Sequence, residues 1–177
     1  NADGSLQSNS SSTAGATRPM LASEYATTIN NAHQLQLMAM DLAAGYTLGT
    51  NVNDAATGLI GGISTDIWGS AGFVSIGNST TNFTGTFDGL GHTISNLTQS
   101  NALNDSGLLR QIGAACTVKN LGLTDVTISK QGNGNNNYLI PFGTLNGTNA
   151  GRISNVYTTG SLTNSGPHCT PSRGRGG

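Results

Sequence analysis

Past residue 45 the chain alternates short apolar runs with clusters of Gly, Asn, Asp and Ser. "YTLGTNV", "GFVSIG", "FTGTF", "HTISNLT", "TVKNLGLTDVTI" and "RISNVYTTGSLT" are each strand-length and rich in β-branched or aromatic residues, with turn formers between them. One earlier stretch has a different period. Ala32, Leu35, Met38, Ala39 and Leu42 recur at three- and four-residue steps, which gathers them on one helical face. Asn30 or Asn31 can cap that helix and Gly45 can stop it. The pattern predicts one short helix at about 32–43, preceded by an extended "ASEYATTI". Helices long enough for βαβ units are absent, which argues against a doubly wound sheet.

Three of the apolar runs share an order. "TISNL", "TVKNL" and "RISNV" each read β-branched, any residue, Asn, aliphatic. Their asparagines, Asn96, Asn120 and Asn155, lie 24 and 35 residues apart. A step of 24 suits one coil of a solenoid, and the Gly/Asn-rich "KQGNGNNNY" accounts for the longer step. The expectation is an all-β fold, a parallel β-solenoid. Ile94, Val118 and Ile153 would stack as an inward aliphatic ladder. Asn96, Asn120 and Asn155 would stack at the turns, where Asn tolerates left-handed backbone. Residues 19–165 would form this repeat domain, with 1–18 a flexible or partial upstream repeat and 166–177 a disordered or aberrant tail, basic and Pro-interrupted.

Composition narrows the function. Charged residues make up only 8% of the 177, and the net charge is −1. That leaves no basic footprint for nucleic acid and no polybasic membrane signal. No apolar run approaches the ~18 residues of a membrane-inserted helix. The opening segment has no basic start followed by an apolar core. If the protein is exported, this chain reads as a mature or internal piece. The two cysteines have no disulfide framework around them, so Cys116 reads as a buried thiol and Cys169 as a tail thiol.

"GTFDGLGHTISNLT" (85–98) concentrates the chemistry-bearing residues: three glycines, Asp88 and His92. A dinucleotide loop needs a helix after the glycines, and none is predicted. The glycines and Asp88 therefore read as a turn between strands. His33, His92 and His168 fall in unlike segments without metal-ligand spacing. Asp54, Asp66 and Asp88 sit in turn-like settings, and Asp105 and Asp125 would meet only as a chance pair on adjacent coils. No catalytic residue, metal site or cofactor is expected. Trp68, Tyr46 and Phe73 read as packing rather than as a sugar-stacking platform. Asn78, Asn82, Asn96 and Asn146 each open an Asn-x-Ser/Thr triplet. In so Asn-, Ser- and Thr-rich a chain most such triplets are coincidence, and Asn96 is the poorest acceptor if it stacks.

Taken in order, "RPMLASEYATTINNAHQLQLMAMDLAAGYTLGTNVN", "WGSAGFVSIG", "FTGTFDGLGHTISNLT" and "TVKNLGLTDVTI" resemble the repeat region of filamentous haemagglutinin-like adhesins. "GRISNVYTTGSLT" is similar to the related GLUG repeat. The resemblance covers roughly 19–164. It implies a right-handed parallel β-helix, export by two-partner secretion through an outer-membrane partner, and display on a bacterial surface without catalytic residues. The chain departs from that pattern at Leu109 and Arg110, where a Gly-Leu-Phe-Gly segment is expected, and at Pro141. Its function would be that of a secreted or cell-surface adhesin fragment, a stalk or display surface for virulence-related cell adhesion. Its partner would be a host-cell or bacterial surface receptor or glycan. A polysaccharide-degrading β-helix and a purely structural spacer are the alternatives.

Overall fold

The helix begins where its cap predicts. Asn31 is extended and its Oδ1 accepts from the Gln34 N–H (2.9 Å), which satisfies one of the free amides of the first turn. Helix α1 spans Ala32–Leu37 and tightens into a 3₁₀ turn at Met38–Met40, shorter than the predicted 32–43. The physical reason is Tyr46. Its hydroxyl donates to the carbonyl of Asp41 (2.7 Å) and approaches that of Met38 (3.4 Å), while Asp41 leaves helical geometry. The "ASEYATTI" segment is extended only at its end, since Ala22–Glu24 form a 3₁₀ turn.

In this computed structural model residues 21–60, 63–64, 66–68, 72–78, 80–100, 106–130 and 143–164 are described. The proposed 1–18 and 166–177 segments lie outside them, as do Asp105, Pro141, His168 and Cys169. The strands are β1 (Thr28–Ile29), β2 (Gly45–Leu48), β3 (Val52–Asn53), β4 (Leu59–Ile60), β5 (Ile63–Ser64), β6 (Thr86–Asp88), β7 (Thr93–Ser95), β8 (Thr98–Gln99), β9 (Gln111–Ile112), β10 (Thr117–Lys130), β11 (Thr148–Asn149) and β12 (Arg152–Asn164). The protein is mostly strand with one short helix, and every strand pair except β4–β5 is parallel.

Strand β10 organises the sheet. It is long enough to lie opposite β6, then β7, then β8, and it pairs along its other edge with β12. One row runs Tyr46, Phe87, Val118, Ile153, and a second runs Val52, Ile94, Leu123, Thr158. A third line of parallel contacts joins Ile76 to Leu109 and Phe83 to Ile112, and the Leu109 N–H bonds the Leu145 carbonyl (2.8 Å). Inward residues of all three lines, including Phe83, Phe87, Ile94, Leu109, Val118 and Leu123, are fully buried in one core. Cys116 is buried with them, and burial pushes its thiol up to about 11.

The register corrects the expected ladder. Val118 does lie opposite Ile153, but Ile94 lies opposite Leu123. The residue in Val118's row on the preceding pass is Phe87, 31 positions earlier, so the 24-residue step is not a pass of this chain. The backbone explains the false match. The stretch from β6 to β8 and strand β10 each have more than one left-handed corner. Asn120 (φ 53°) and Asn155 (φ 52°) occupy one kind, and Asn96 (φ 60°) and Asp125 (φ 55°) the other. Both kinds produce the same local pattern of aliphatic residues flanking a left-handed polar residue.

Candidate functional site

The two corners form two polar stacks along the outside of the sheet. At the first, Asn155 Nδ2 donates to Asn120 Oδ1 (2.9 Å) and Asn120 Nδ2 donates to Asp88 Oδ1 (3.0 Å). Asp88 also accepts from the Leu90 N–H (3.0 Å) and pairs with Lys119 (3.1 Å). The Leu90 N–H, then Asn120 and Lys119, hold its carboxyl below the usual carboxylate range. At the second corner, Asn96 Nδ2 donates to Asn53 Oδ1 (3.1 Å), and the Asp125 N–H donates to Thr159 Oγ1 (3.1 Å). So Asn120 and Asn155 do share a stack, whereas Asn96 belongs to the other one.

"FDGLGHT" is the first corner in a different spelling. Leu90 (φ 51°) and Gly91 (φ 85°) carry the left-handed backbone, and the His92 N–H closes the turn on the Gly89 carbonyl (2.8 Å). Gly89 is needed for proximity: a Cβ there would collide with the backbone oxygen of Asn120. Among the described residues His92 meets Asn51 (3.2 Å) and no carboxylate. Asp88 and His92 are thus placed in a turn, each with a structural partner.

His33 is not isolated, contrary to the sequence reading. Its Nδ1 meets Glu24 Oε2 (3.2 Å), its Nε2 meets both oxygens of Asp66 (3.1 Å), and its ring packs edge-on against Trp68 at 5.6 Å. Partial burial pulls its pKa down, but the bonds and charges of Asp66 and Glu24 outweigh this and raise it above 6.5. The acids sit on opposite ring nitrogens, so the three groups clamp segments together rather than converge on one ion. Among the described residues no group of three His, Cys, Asp or Glu has metal-holding geometry. Beside the clamp, Gln36 Oε1 accepts from the indole of Trp68 (2.8 Å) and from the Val74 N–H (2.9 Å). The pairs are 32 to 38 positions apart, and no local spacing announces them.

Trp68, Tyr46 and Phe73 are all buried, which removes them as an exposed sugar platform. Tyr157, which the sequence reading did not single out, is 56% exposed, and its ring lies across Gly122. Asp54 is the most unusual group. It is wholly buried, neither carboxylate oxygen has a hydrogen-bond partner among the described residues, and burial pushes its pKa up to about 7. Its backbone is well used: its N–H bonds Ser95, and its carbonyl accepts from the N–H and the hydroxyl of Thr57 (2.9 and 2.6 Å). "NDAAT" reads as a plain turn, and only the fold reveals that the side chain faces inward. At the departure from the adhesin pattern, Leu109 fills a buried position, while Arg110 is half-buried with its Nε unpartnered among the described residues.

Over 120 residues the chain is 38% identical to halomucin from Haloquadratum walsbyi (strain DSM 16790 / HBSQ001). That match takes in 66% of this chain, which spans only 1% of the length of that protein. No family model matches the chain, and no solved structure matches it. Among the described residues no helix is long and apolar enough to cross a membrane.

Proposed function

We propose that this chain is a length of right-handed parallel β-helix from a secreted or surface-displayed protein. It acts as a stalk or display surface for attachment, in the manner of filamentous haemagglutinin-like adhesins, and carries no catalytic centre. The observation that carries the reading is the pairing of in-register parallel rows with outer Asn/Asp stacks. Such an arrangement adds length pass by pass at ~4.8 Å each and places polar groups along the outside. The halomucin likeness supports the extracellular setting, because this chain is similar to a small part of a far longer protein bearing a mucin-like name. The receptor is a glycan or protein of a host-cell or bacterial surface.

The test is adhesion. Beads coated with the purified chain are applied to epithelial cells, to bacterial cells and to a glycan array. The reading expects retention above that of beads coated with the unfolded chain. Equal retention of folded and unfolded chain on every surface would overturn display and leave a spacer role. Product release from pectin-like or glycosaminoglycan substrates would overturn the non-catalytic reading.

A further inference from the structure

Four Asn-x-Ser/Thr triplets have both their Asn and their hydroxyl residue within the described chain, and three are tied into the fold. Asn96 sits in a left-handed corner with its Nδ2 donated to Asn53, and Thr98 is in register with Thr127 inside the sheet. Asn82 is half-buried next to the fully buried Phe83, and the Thr84 hydroxyl donates to the Leu42 carbonyl (3.3 Å). Asn146 has its backbone pressed on Gly107 and Gly143, and Thr148 lies in β11 opposite Gln111.

Asn78 differs from all three. Its side chain is exposed. Its Oδ1 accepts from the Thr80 hydroxyl (2.7 Å), the Thr80 N–H (2.9 Å) and the Thr81 N–H (2.8 Å). The fold therefore uses the oxygen of this amide, and no bond of its Nδ2 to a described residue would be lost on substitution there. It is the one triplet of the four in which the hydroxyl bonds the asparagine's side-chain amide; at Asn96 the Thr98 hydroxyl reaches only the backbone carbonyl (3.5 Å). Thr80 and Thr81 also line a groove of about 660 Å³ whose wall mixes polar residues such as Asp41 and Asn82 with the apolar Met40 and Leu42.

We propose that Asn78 is an N-glycosylation site of the folded chain. The donor class is a lipid-pyrophosphate-linked glycan, delivered by an oligosaccharide-transferring enzyme. Nδ2 attacks the anomeric carbon, a C–N bond forms, and the C–O bond to phosphate breaks. The electron pair leaves with the pyrophosphate, and the amide proton passes to a base of the transferase. No oxidant or reductant is needed. The inference rests on the extracellular setting of the proposed function but not on adhesion itself.

The test is in vitro transfer to the purified full chain, with a purified transferase and its lipid-linked glycan, read by intact mass and glycopeptide mapping. The expected result is glycan at Asn78 in preference to Asn96 and Asn146. Asn78→Asp keeps the turn acceptor and should lose the glycan with no change in melting. Thr80→Ala should lose it as well. Preferential modification of Asn96 or Asn146 would overturn the proposal. So would an unmodified chain in a reaction that does modify a control acceptor peptide. Adhesion of unglycosylated beads is measured separately, so failure of one reading does not mimic failure of the other.

Discussion

Tyr46 and Ile153 lie in one row of the sheet, at its two ends, yet Tyr46 is 1% exposed and Ile153 is 37% exposed. The difference is what lies beyond them. Past Tyr46, helix α1 brings Leu35 and Met38 into the core, Tyr25 packs edge-on, and the His33 clamp ties Glu24 and Asp66 together. Past β12 no described element packs, and Tyr157 and Leu162 are exposed along with Ile153. Burial in a stacked sheet comes from neighbours on both sides. The same row position is therefore core at the capped end and half-open at the other.

The sharpest test places a carboxylate at either position of that row. Val118→Asp puts an unpaired charge into a fully buried site, and more than about 4 kcal/mol of destabilisation is expected, enough to abolish a cooperative melt. Ile153→Asp can keep its charge in water and should cost about 1 kcal/mol or less. Equal melting losses in the two variants would break the comparison.

The next effect belongs to Asp54, a buried charge that the open end does not share. Its folded pKa of about 7 lies above the usual value of 3.8, so the folded state holds its proton more tightly than the unfolded one. The sign follows: its penalty is absent below pH 4, grows as pH rises to about 7, and is constant above. At 1.36 kcal/mol per unit this amounts to about 4 kcal/mol as an upper bound. Asp54→Asn should therefore gain stability relative to the parent as pH rises from 4 to 7, measured by denaturant midpoints. A difference independent of pH would show that the carboxyl is not desolvated.

Smaller again is the contrast within the outer stack. Asn120 is bonded on both sides, to Asp88 and to Asn155, and Asn155 is bonded on one side. Replacing Asn120 by Ala loses both contacts and leaves a side chain in left-handed backbone, for about 2 kcal/mol. Asn155 has the same left-handed backbone and loses one bond instead of two, so its replacement by Ala should cost about 1 kcal/mol less than that of Asn120. Asn120→Gly should be milder than Asn120→Ala because it removes the backbone strain, and the reverse order in thermal melts would contradict the strain argument.

The smallest effect is the clamp at the capped end. The folded pKa of His33 is raised, so its contribution is full below 6.5 and is lost as pH rises through the folded value. The group is a third exposed, so about 1 kcal/mol or less is at stake. His33→Gln should remove that decline above pH 6.5, and an unchanged pH profile would exclude the clamp as a contributor.

Much of the strand pattern was legible because β-branched runs and turn formers are local signals. The two longest segments, "TVKNLGLTDVTI" and "RISNVYTTGSLT", lie within β10 and β12. "GFVSIG" instead makes only isolated bridges, at Gly72 and Ile76. Register was harder to read. Asn96 and Asn120 look equivalent because any left-handed corner favours Asn, whichever corner it is. The true counterpart of the Asn120 corner is written Asp88-Gly89-Leu90-Gly91, two residues longer than the equivalent stretch of β10, and shares no asparagine with it. The His33 clamp and the burial of Asp54 were illegible for a different reason. Each depends on which distant segment arrives beside it, and no spacing along the chain encodes that.

Strand β10 also sets a timescale. Its partners on both sides are 29 to 35 residues away along the chain, so none of its inter-strand bonds closes through a short loop. Once formed, it is held along both edges, whereas β12 is held along one by the described residues. Amide protons of β10 should then be the last to exchange with solvent and those of β12 among the first, with opening spreading inward from the uncovered edge. Refolding should be slow for a chain of this size, because the central strand must wait for flanks that arrive from far along the sequence.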